Sequence, residues 1–334
     1  MSDKIIIAID AMGGDNAPKE IIKGAVCALE ENNNLKIILV GKQEIIDNEL
    51  KNYDIKSYEN LEILDAQDII TNDDSPTWAI KNKKESSIVK GLNLVKDKSA
   101  DGFISAGSTG ALLSCATLLL KRLPKISRPA LATLLPNLNG VSLLLDSGAN
   151  VDCKAIYLEQ FAKMGSLYME HVMKIKNPRV ALVNIGIERS KGSILLKEAY
   201  ELLGGSKINF IGNIEARDIP YGSADVLVCD GFVGNVILKH TEGLTKGLLH
   251  IIKNELDKNI LRKLGGLFAK SAFSNIKNKF DYNKIGGAPF LGLNSIIIKV
   301  HGSSNYNAIK NAAKQCIGFI ESNIISQIKD FPGE

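Results

Sequence analysis

A chain of 334 residues, 45% hydrophobic and 23% charged, has ample core for a soluble globular protein of one large domain or two interlocked ones. Aromatics at 6% and a net charge of +4 argue against a base-stacking or strongly basic nucleic-acid surface. Five scattered cysteines without a CxxC pair, four scattered histidines and no signal-like start exclude a disulfide scaffold and a zinc-type cluster, and the chain reads as cytoplasmic.

The first element is a five-residue apolar run, 5–9, which reads as a strand buried on both faces. It enters the turn Asp10-Ala11-Met12-Gly13-Gly14-Asp15, and Pro18 suits the first turn of the helix that follows. Runs 35–40 and 61–64 read as two more strands. A polar loop at 72–76 leads to Trp78, Lys81, Lys83 and Lys84, either a solvated face or an anion patch, and Ser86 or Ser87 caps a helix to about 98. Residues 102–120 carry no charge and could span a bilayer by length. Gly102, Ser105, Gly107, Ser108, Thr109 and Gly110 in its first half make it a strand, a tight turn and a buried helix instead. The backbone N–H groups of such a turn attract phosphate, although a packing turn looks the same in sequence.

Beyond Arg128-Pro129-Ala130 the pattern predicts strands to 135 and at 141–145, then a polar exit 146–152 and a helix over 155–174. Strands at 180–184, 207–211 and 225–229 exit through loops 185–192, 212–218 and 230–235. Glu188 and Lys191 share the first of these loops, as a surface ion pair or as part of a site. A helix follows from 236 to about 264, interrupted by Gly265-Gly266. Residues 244–280 carry a net charge of +6. With apolar residues near helical spacing, this stretch reads as a basic amphipathic hairpin facing anionic lipid, an acidic protein or a second copy of the chain. A turn at 286–289, a strand at 296–300 ending in His301, and a helix over 306–328 complete the chain. Polar glycine loops at so many strand ends predict one composite cleft at the carboxyl edge of an open α/β sheet.

Several of these loops form an ordered set: Asp10 to Asp15, Ser105-Ala-Gly-Ser-Thr-Gly-Ala111, Gly148-Ala-Asn-Val-Asp152, Asn184-Ile-Gly186, Gly212-Asn-Ile-Glu-Ala-Arg217, Asp230-Gly-Phe-Val-Gly-Asn235, Gly286-Gly-Ala-Pro289 and His301-Gly-Ser-Ser304. In that order they closely resemble the bacterial phosphate acyltransferases over about residues 4–325. The resemblance implies a three-layer α/β sandwich like the isocitrate and isopropylmalate dehydrogenases and the phosphotransacetylases. It implies a single α/β unit, 1–334, of two interlocked subdomains with a protruding hairpin at 244–285. It further implies a homodimer that moves a fatty acyl group from acyl carrier protein to inorganic phosphate, with no cofactor and no metal. The acyl phosphate would serve a membrane glycerol-3-phosphate acyltransferase in phospholipid synthesis, and the protein would sit peripherally on an anionic membrane surface. Four positions depart from the family pattern. Ser108 stands where Asn is usual and Lys81 where Arg is usual, while Arg189 and Ser193 replace an acidic residue and an Asn. A lysine cannot grip phosphate bidentately as Arg does, so the phosphate contacts are where this chain differs.

Phosphate is an anion at neutral pH, so the reaction needs no enzyme nucleophile. Its needs are to hold phosphate near the carbonyl and to stabilise the oxyanion. On this reading Lys191 brings in phosphate, Asn235 donates to the oxyanion or phosphate, and His301 donates too or protonates the leaving thiolate. Gly107, Ser108, Thr109 and Gly110 form one backbone cradle; Asp230, Gly231, Phe232 and Gly234 form the other. Lys81 and Glu188 belong to substrate binding, as do Gly13 and Gly14, with Asp10 and Asp15 framing the loops. Leu261, Arg262, Lys263, Leu264, Leu267 and Phe268 are the expected contact with membrane or carrier. Two rivals stand beside this reading: a dehydrogenase of related fold, and a non-catalytic membrane scaffold for acyl carrier protein.

Overall fold

A computed structural model describes residues 4–54, 58–71, 74–279 and 286–330. Part of the loop expected at 72–76 and the end of the expected hairpin, 280–285, lie outside the described residues. The chain begins with β1 (Ile5–Asp10), α1 (Lys19–Glu31), β2 (Leu35–Gly41), α2 (Gln43–Leu50), β3 (Leu61–Asp65), α3 (Pro76–Asn82), α4 (Ser87–Lys96), β4 (Gly102–Ser105) and α5 (Thr109–Leu120). Its middle holds β5 (Ala130–Leu131), β6 (Thr133–Asn137), β7 (Gly140–Leu145), α6 (Ala155–His171), β8 (Val180–Asn184), α7 (Ile194–Gly205), β9 (Phe210–Glu215) and β10 (Val226–Val228). The remainder is α8 (Gly231–Asp257), α9 (Ile260–Phe268), α10 (Lys270–Lys279), β11 (Ala288–Leu291), β12 (Ile296–Lys299), α11 (Tyr306–Ser322) and α12 (Ile324–Asp330).

Two sheets result. The larger has the order β3-β2-β1-β4-β12-β11-β5 and is parallel except around β11. The smaller has the order β6-β7-β10-β8-β9 and is parallel except for β6. Helices cover both faces, which is why β1, β2 and β8 are near-continuous apolar runs. One buried cluster runs from Ile7 and Ile9 through Ile298 to Leu143, Leu145 and Val228, so a single core joins the sheets. Ala132 is all that separates β5 from β6, and the chain changes sheet there. Residues 102–120 are strand, turn and helix, and no helix among the described residues is long and apolar enough to cross a membrane.

Five expectations need correction; one is the helix expected over 306–328, which breaks into α11 and α12 at Asn323, at φ +51°. The strand expected at 207–211 is β9, and it contains Gly212, Asn213, Ile214 and Glu215, which had read as its exit. Its pairing with β8 shifts register between Val180 and Leu182, and Gly212 at φ +98° takes up the extra residue of a bulge. The strand expected to end at 135 is split between the sheets. The long helix starts at Gly231, not 236, and breaks at Lys258 and Asn259; Gly265 and Gly266 lie inside α9. Asn259 supplies the reason, since its side chain accepts from Arg262 N and starts a new helix. The turn expected at 286–289 runs into β11, whose Ala288 and Pro289 pair with Lys299 and Ile298. α2, α3 and α7 were not expected; α7 is capped by Ser193, which accepts from Leu196 N.

Candidate active site

The carboxyl ends of the two sheets meet around a cavity of about 640 Å³. From the larger sheet come Thr109 at the start of α5 and Lys299 and His301 at the end of β12. From the smaller come Ser147 and Gly148 after β7, and α8 supplies Asn235, Lys239, Glu242 and Lys246. Thr109 brings the positive end of a helix dipole to the wall, so three lysines and a helix start face one acid, Glu242.

Lys299 is the least expected of these groups. It ends a buried strand, is only 8% exposed, and donates to the main-chain carbonyls of Ala106, at 3.3 Å, and Val300. Burial draws its pKa down to about 8; the carboxylates of Asp10 and Asp15 oppose that shift, and the charge of Lys239 adds to it. His301 lies beside Lys239, with Nε2 3.1 Å from the ammonium Nζ and Nδ1 3.0 Å from Ser303 Oγ. An ammonium only donates, so Nε2 accepts there, while Nδ1 faces Ser303 Oγ and also the Ser303 N–H, 3.3 Å away. Burial first, and then the charge of Lys239, hold this imidazole below its ordinary pKa, so it is neutral at pH 7. Lys239 also pairs with Glu242 at 3.0 Å.

Asp146 organises the opposite wall. Fully buried, it accepts from the N–H groups of Leu131, Gly148, Ala149 and Asn150 and from Asn150 Nδ2. Burial pushes its carboxyl pKa up, and these donors pull it back. Helix α8 packs on this loop so closely that a Cβ at Gly234 would lie 1.9 Å from the Asp146 carbonyl oxygen. That contact is the physical reason for a glycine there, and it sets Asn235 beside Gly148. Asp230 caps α8, its Oδ1 accepting from Val233 N at 2.8 Å.

Of the residues expected from sequence, Thr109, Asn235 and His301 line the cavity together. The turn after β1 stands behind it. Asp10 is 1% exposed and accepts from Ser105 Oγ at 2.6 Å and Met12 N at 3.1 Å. Gly13 abuts Gly107, and Gly14, at φ +98°, lets Asp15 N donate to Gly302 O at 2.8 Å. The exits of β1, β4 and β12 are thus tied together. Ser108, Gly110, Gly231, Phe232 and Gly234 flank the cavity in sequence without lining it. Lys191 and Glu188 are exposed on the loop after β8, outside the lining. That loop is held by Asn184 Nδ2 to Lys191 O and Asn213 Nδ2 to Glu188 O, and no ion pair joins the two side chains. Arg189 bonds Glu201 instead. Lys81 is exposed at the end of α3. Sequence reasoning missed Lys239, Lys246, Lys299 and Asp146. Lys299 had one available signal: a lysine between Ile298 and Val300 in an otherwise apolar strand needs a reason to be there. Among the described residues no three His, Cys, Asp or Glu side chains group as metal ligands.

The two-sheet α/β fold is similar to that of solved phosphotransacetylases. The EutD phosphotransacetylase from Staphylococcus aureus matches with a TM-score of 0.60 at 18% identity, covering 95% of this chain and 94% of that one. A phosphotransacetylase from Streptococcus pyogenes matches with a TM-score of 0.61 at 19% identity, covering 98% and 95%. Those likenesses concern the fold. Sequence carries the class further, because residues 5–327 match the family described as "Fatty acid synthesis protein". The phosphate acyltransferase of Clostridium tetani is 50% identical over 326 residues, 97% of each chain. That of Halothermothrix orenii is 50% identical over 325 residues, again 97% of each. The chain belongs to this phosphate acyltransferase family of fatty acid synthesis.

Proposed function

We propose that the chain moves a fatty acyl group from the thioester of acyl carrier protein to inorganic phosphate, releasing acyl phosphate and free carrier for phospholipid synthesis. The observation that carries this reading is the cavity that Lys239, Lys246, Lys299 and the start of α5 line together with Asn235. A phosphate oxygen attacks the carbonyl carbon, the carbonyl oxygen becomes an oxyanion, the C–S bond breaks, and the thiolate takes a proton. Asn235 donates to the oxyanion. Lys191, on the neighbouring exit loop, brings in phosphate and offsets its charge. A neutral His301 is poorly placed to give a proton; it orients Lys239 through Nε2. Lys299, with a pKa of about 8, is matched to a thiol of ordinary pKa about 8.5 and is the better acid.

The decisive assay is release of free carrier from acyl carrier protein with and without phosphate. Phosphate-independent release, or none, would sink the reading, and simple carrier binding would favour a scaffold. Asn235→Ala is expected to lower the phosphate-dependent rate about 10²–10³-fold, and Lys191→Ala to raise the phosphate requirement. Near-wild-type kinetics in both variants would remove these assignments.

We further propose a cytoplasmic homodimer that rests on anionic membrane and hands acyl phosphate to a membrane glycerol-3-phosphate acyltransferase. An exposed apolar face on α8, from Val236 and Leu244 to Leu248 and Ile251, supports self-association. α9 has no buried residue and leaves Phe268 89% exposed beside Leu261, Leu264, Leu267, Arg262 and Lys263. Leu261→Glu or Leu264→Glu should reduce flotation with anionic vesicles while phosphate-dependent turnover in solution persists. Unchanged flotation would count against membrane contact.

A further inference from the structure

The cavity that holds Asn235 does not close at its outer end. Along α8 its lining passes from Asn235, Lys239 and Glu242 to Lys246 and then to Leu249. A second cavity, of about 900 Å³, begins at the same Leu249 and lies among α8, α9 and α10. Apolar Ile252, Leu256, Leu267 and Phe273 line it together with His250, Lys253, Asp257, Lys263, Lys270 and Ser274.

We propose that this second cavity houses the distal part of a long acyl chain, with Leu249 at the passage between the reacting end and the tail. The proposal rests on the acyl-transfer reading above and names where the substrate's apolar part is held. An acyl thioester is polar at the carbonyl and apolar beyond it; the inner cavity holds Asn235, Lys239 and Lys299 for the reacting end, and the outer one, meeting it at Leu249, offers Ile252, Leu256, Leu267 and Phe273 to the tail. Lys253, Lys263 and Lys270 also border the outer cavity. Lysine stems cover apolar surface while their heads stay in water, so they can roof a hydrocarbon chain without charging its bed.

Gly266 is an independent observation. Glycine weakens a helix interior, yet it stands inside α9 facing the outer cavity. A Cβ there would meet Leu256 Cδ1 at 3.3 Å, tighter than ordinary contact, so the missing side chain lets α9 lie close against Leu256 beside the outer cavity. A larger residue at 266 would fill the outer cavity alone, and one at 249, which lines both cavities, would fill the passage between them.

The test is the chain-length profile of Leu249→Trp and Gly266→Leu with butyryl and palmitoyl thioesters of the carrier, in saturating phosphate. Each buried methylene tightens binding roughly four-fold, so excluding even a few is a large effect. In both variants kcat/KM for palmitoyl relative to butyryl should fall at least about tenfold, mostly through KM, because binding far from the reacting atoms is lost. Turnover of the butyryl thioester reports that the variant is folded. Unchanged palmitoyl-to-butyryl ratios in both variants would overturn the proposal. So would an unchanged ratio with altered oligomeric state or altered vesicle flotation, which would assign the cavity to a second copy or to the bilayer. A wild-type protein that transfers neither group to phosphate would overturn the acyl-transfer reading itself, and this proposal with it.

Discussion

Lys299→Met is expected to give a protein that is more stable at neutral pH and almost inactive. Burial lowers the lysine's pKa from its ordinary 10.5 to about 8, so keeping the ammonium in place at pH 7 costs about 3 kcal/mol. Methionine removes that cost but also the two hydrogen bonds to the Ala106 and Val300 carbonyls, worth about 1 kcal/mol each. The net gain is about 1 kcal/mol, or about 1–2 °C in Tm for a chain of 334 residues. The sign with pH is fixed. Between pH 8 and 10.5 the unfolded chain holds a proton that the folded chain has lost, so wild-type stability rises with pH across that window. The methionine variant lacks this slope, and its advantage shrinks from pH 8 upward. Calorimetry at pH 7 and pH 9.5 checks both points. If the ammonium protonates the departing thiolate, phosphate-dependent turnover in the variant falls about 10²–10⁴-fold, and the wild type loses activity above about pH 8. A variant both less stable and fully active would mean that Lys299 is a structural anchor with no part in the reaction. A group that costs stability where it stands is one whose presence structure alone does not explain.

How far the site could be read from sequence depended on whether its cause was local or tertiary. β1, β2 and β8 were legible because strands buried on both faces must be apolar along their length. Ser86 capping α4 was legible because a cap is a local hydrogen bond, here to Val89 N at 3.4 Å. β9 misled because Gly212 and Asn213 look like a turn, and only the bulge against β8 shows why a strand contains them. Gly265-Gly266 misled in the same way, since both lie inside α9, with Gly266 against Leu256 of α8. The motif loops were recognisable as strand exits, but motif order does not say which exits share a cavity. Thr109, Asn235 and His301 meet because β4 and β12 are neighbours and α8 packs on the loop after β7. In sequence Lys246 counts only toward the charge of the basic hairpin and Lys239 is not singled out; both line the cavity because α8 runs along it.

Asp146→Ala is expected to be among the most destabilising single changes in the chain, at about 4–5 kcal/mol. Four main-chain N–H groups and one side-chain amide converge on this carboxylate, and alanine accepts from none of them. A buried donor left without a partner costs about 1–3 kcal/mol; relief of the buried charge and entry of water offset part of the sum. Asp146→Asn should lose about half as much, because one oxygen remains while its NH₂ faces a donor. The consequence reaches the cavity in three steps. The 148–150 loop is held by these bonds, Gly234 of α8 rests against the Asp146 carbonyl, and Asn235 is placed beside Gly148 by that contact. The alanine variant should therefore lose turnover even at temperatures where it stays folded, and the loss should appear in kcat, since what moves is the donor to the oxyanion. Urea unfolding with steady-state kinetics at low temperature separates the two effects. Near-wild-type stability would show that the loop is held by other contacts. Reduced stability with intact kcat would show that Asn235 keeps its place without Asp146, and its position would then have to be set by α8 alone.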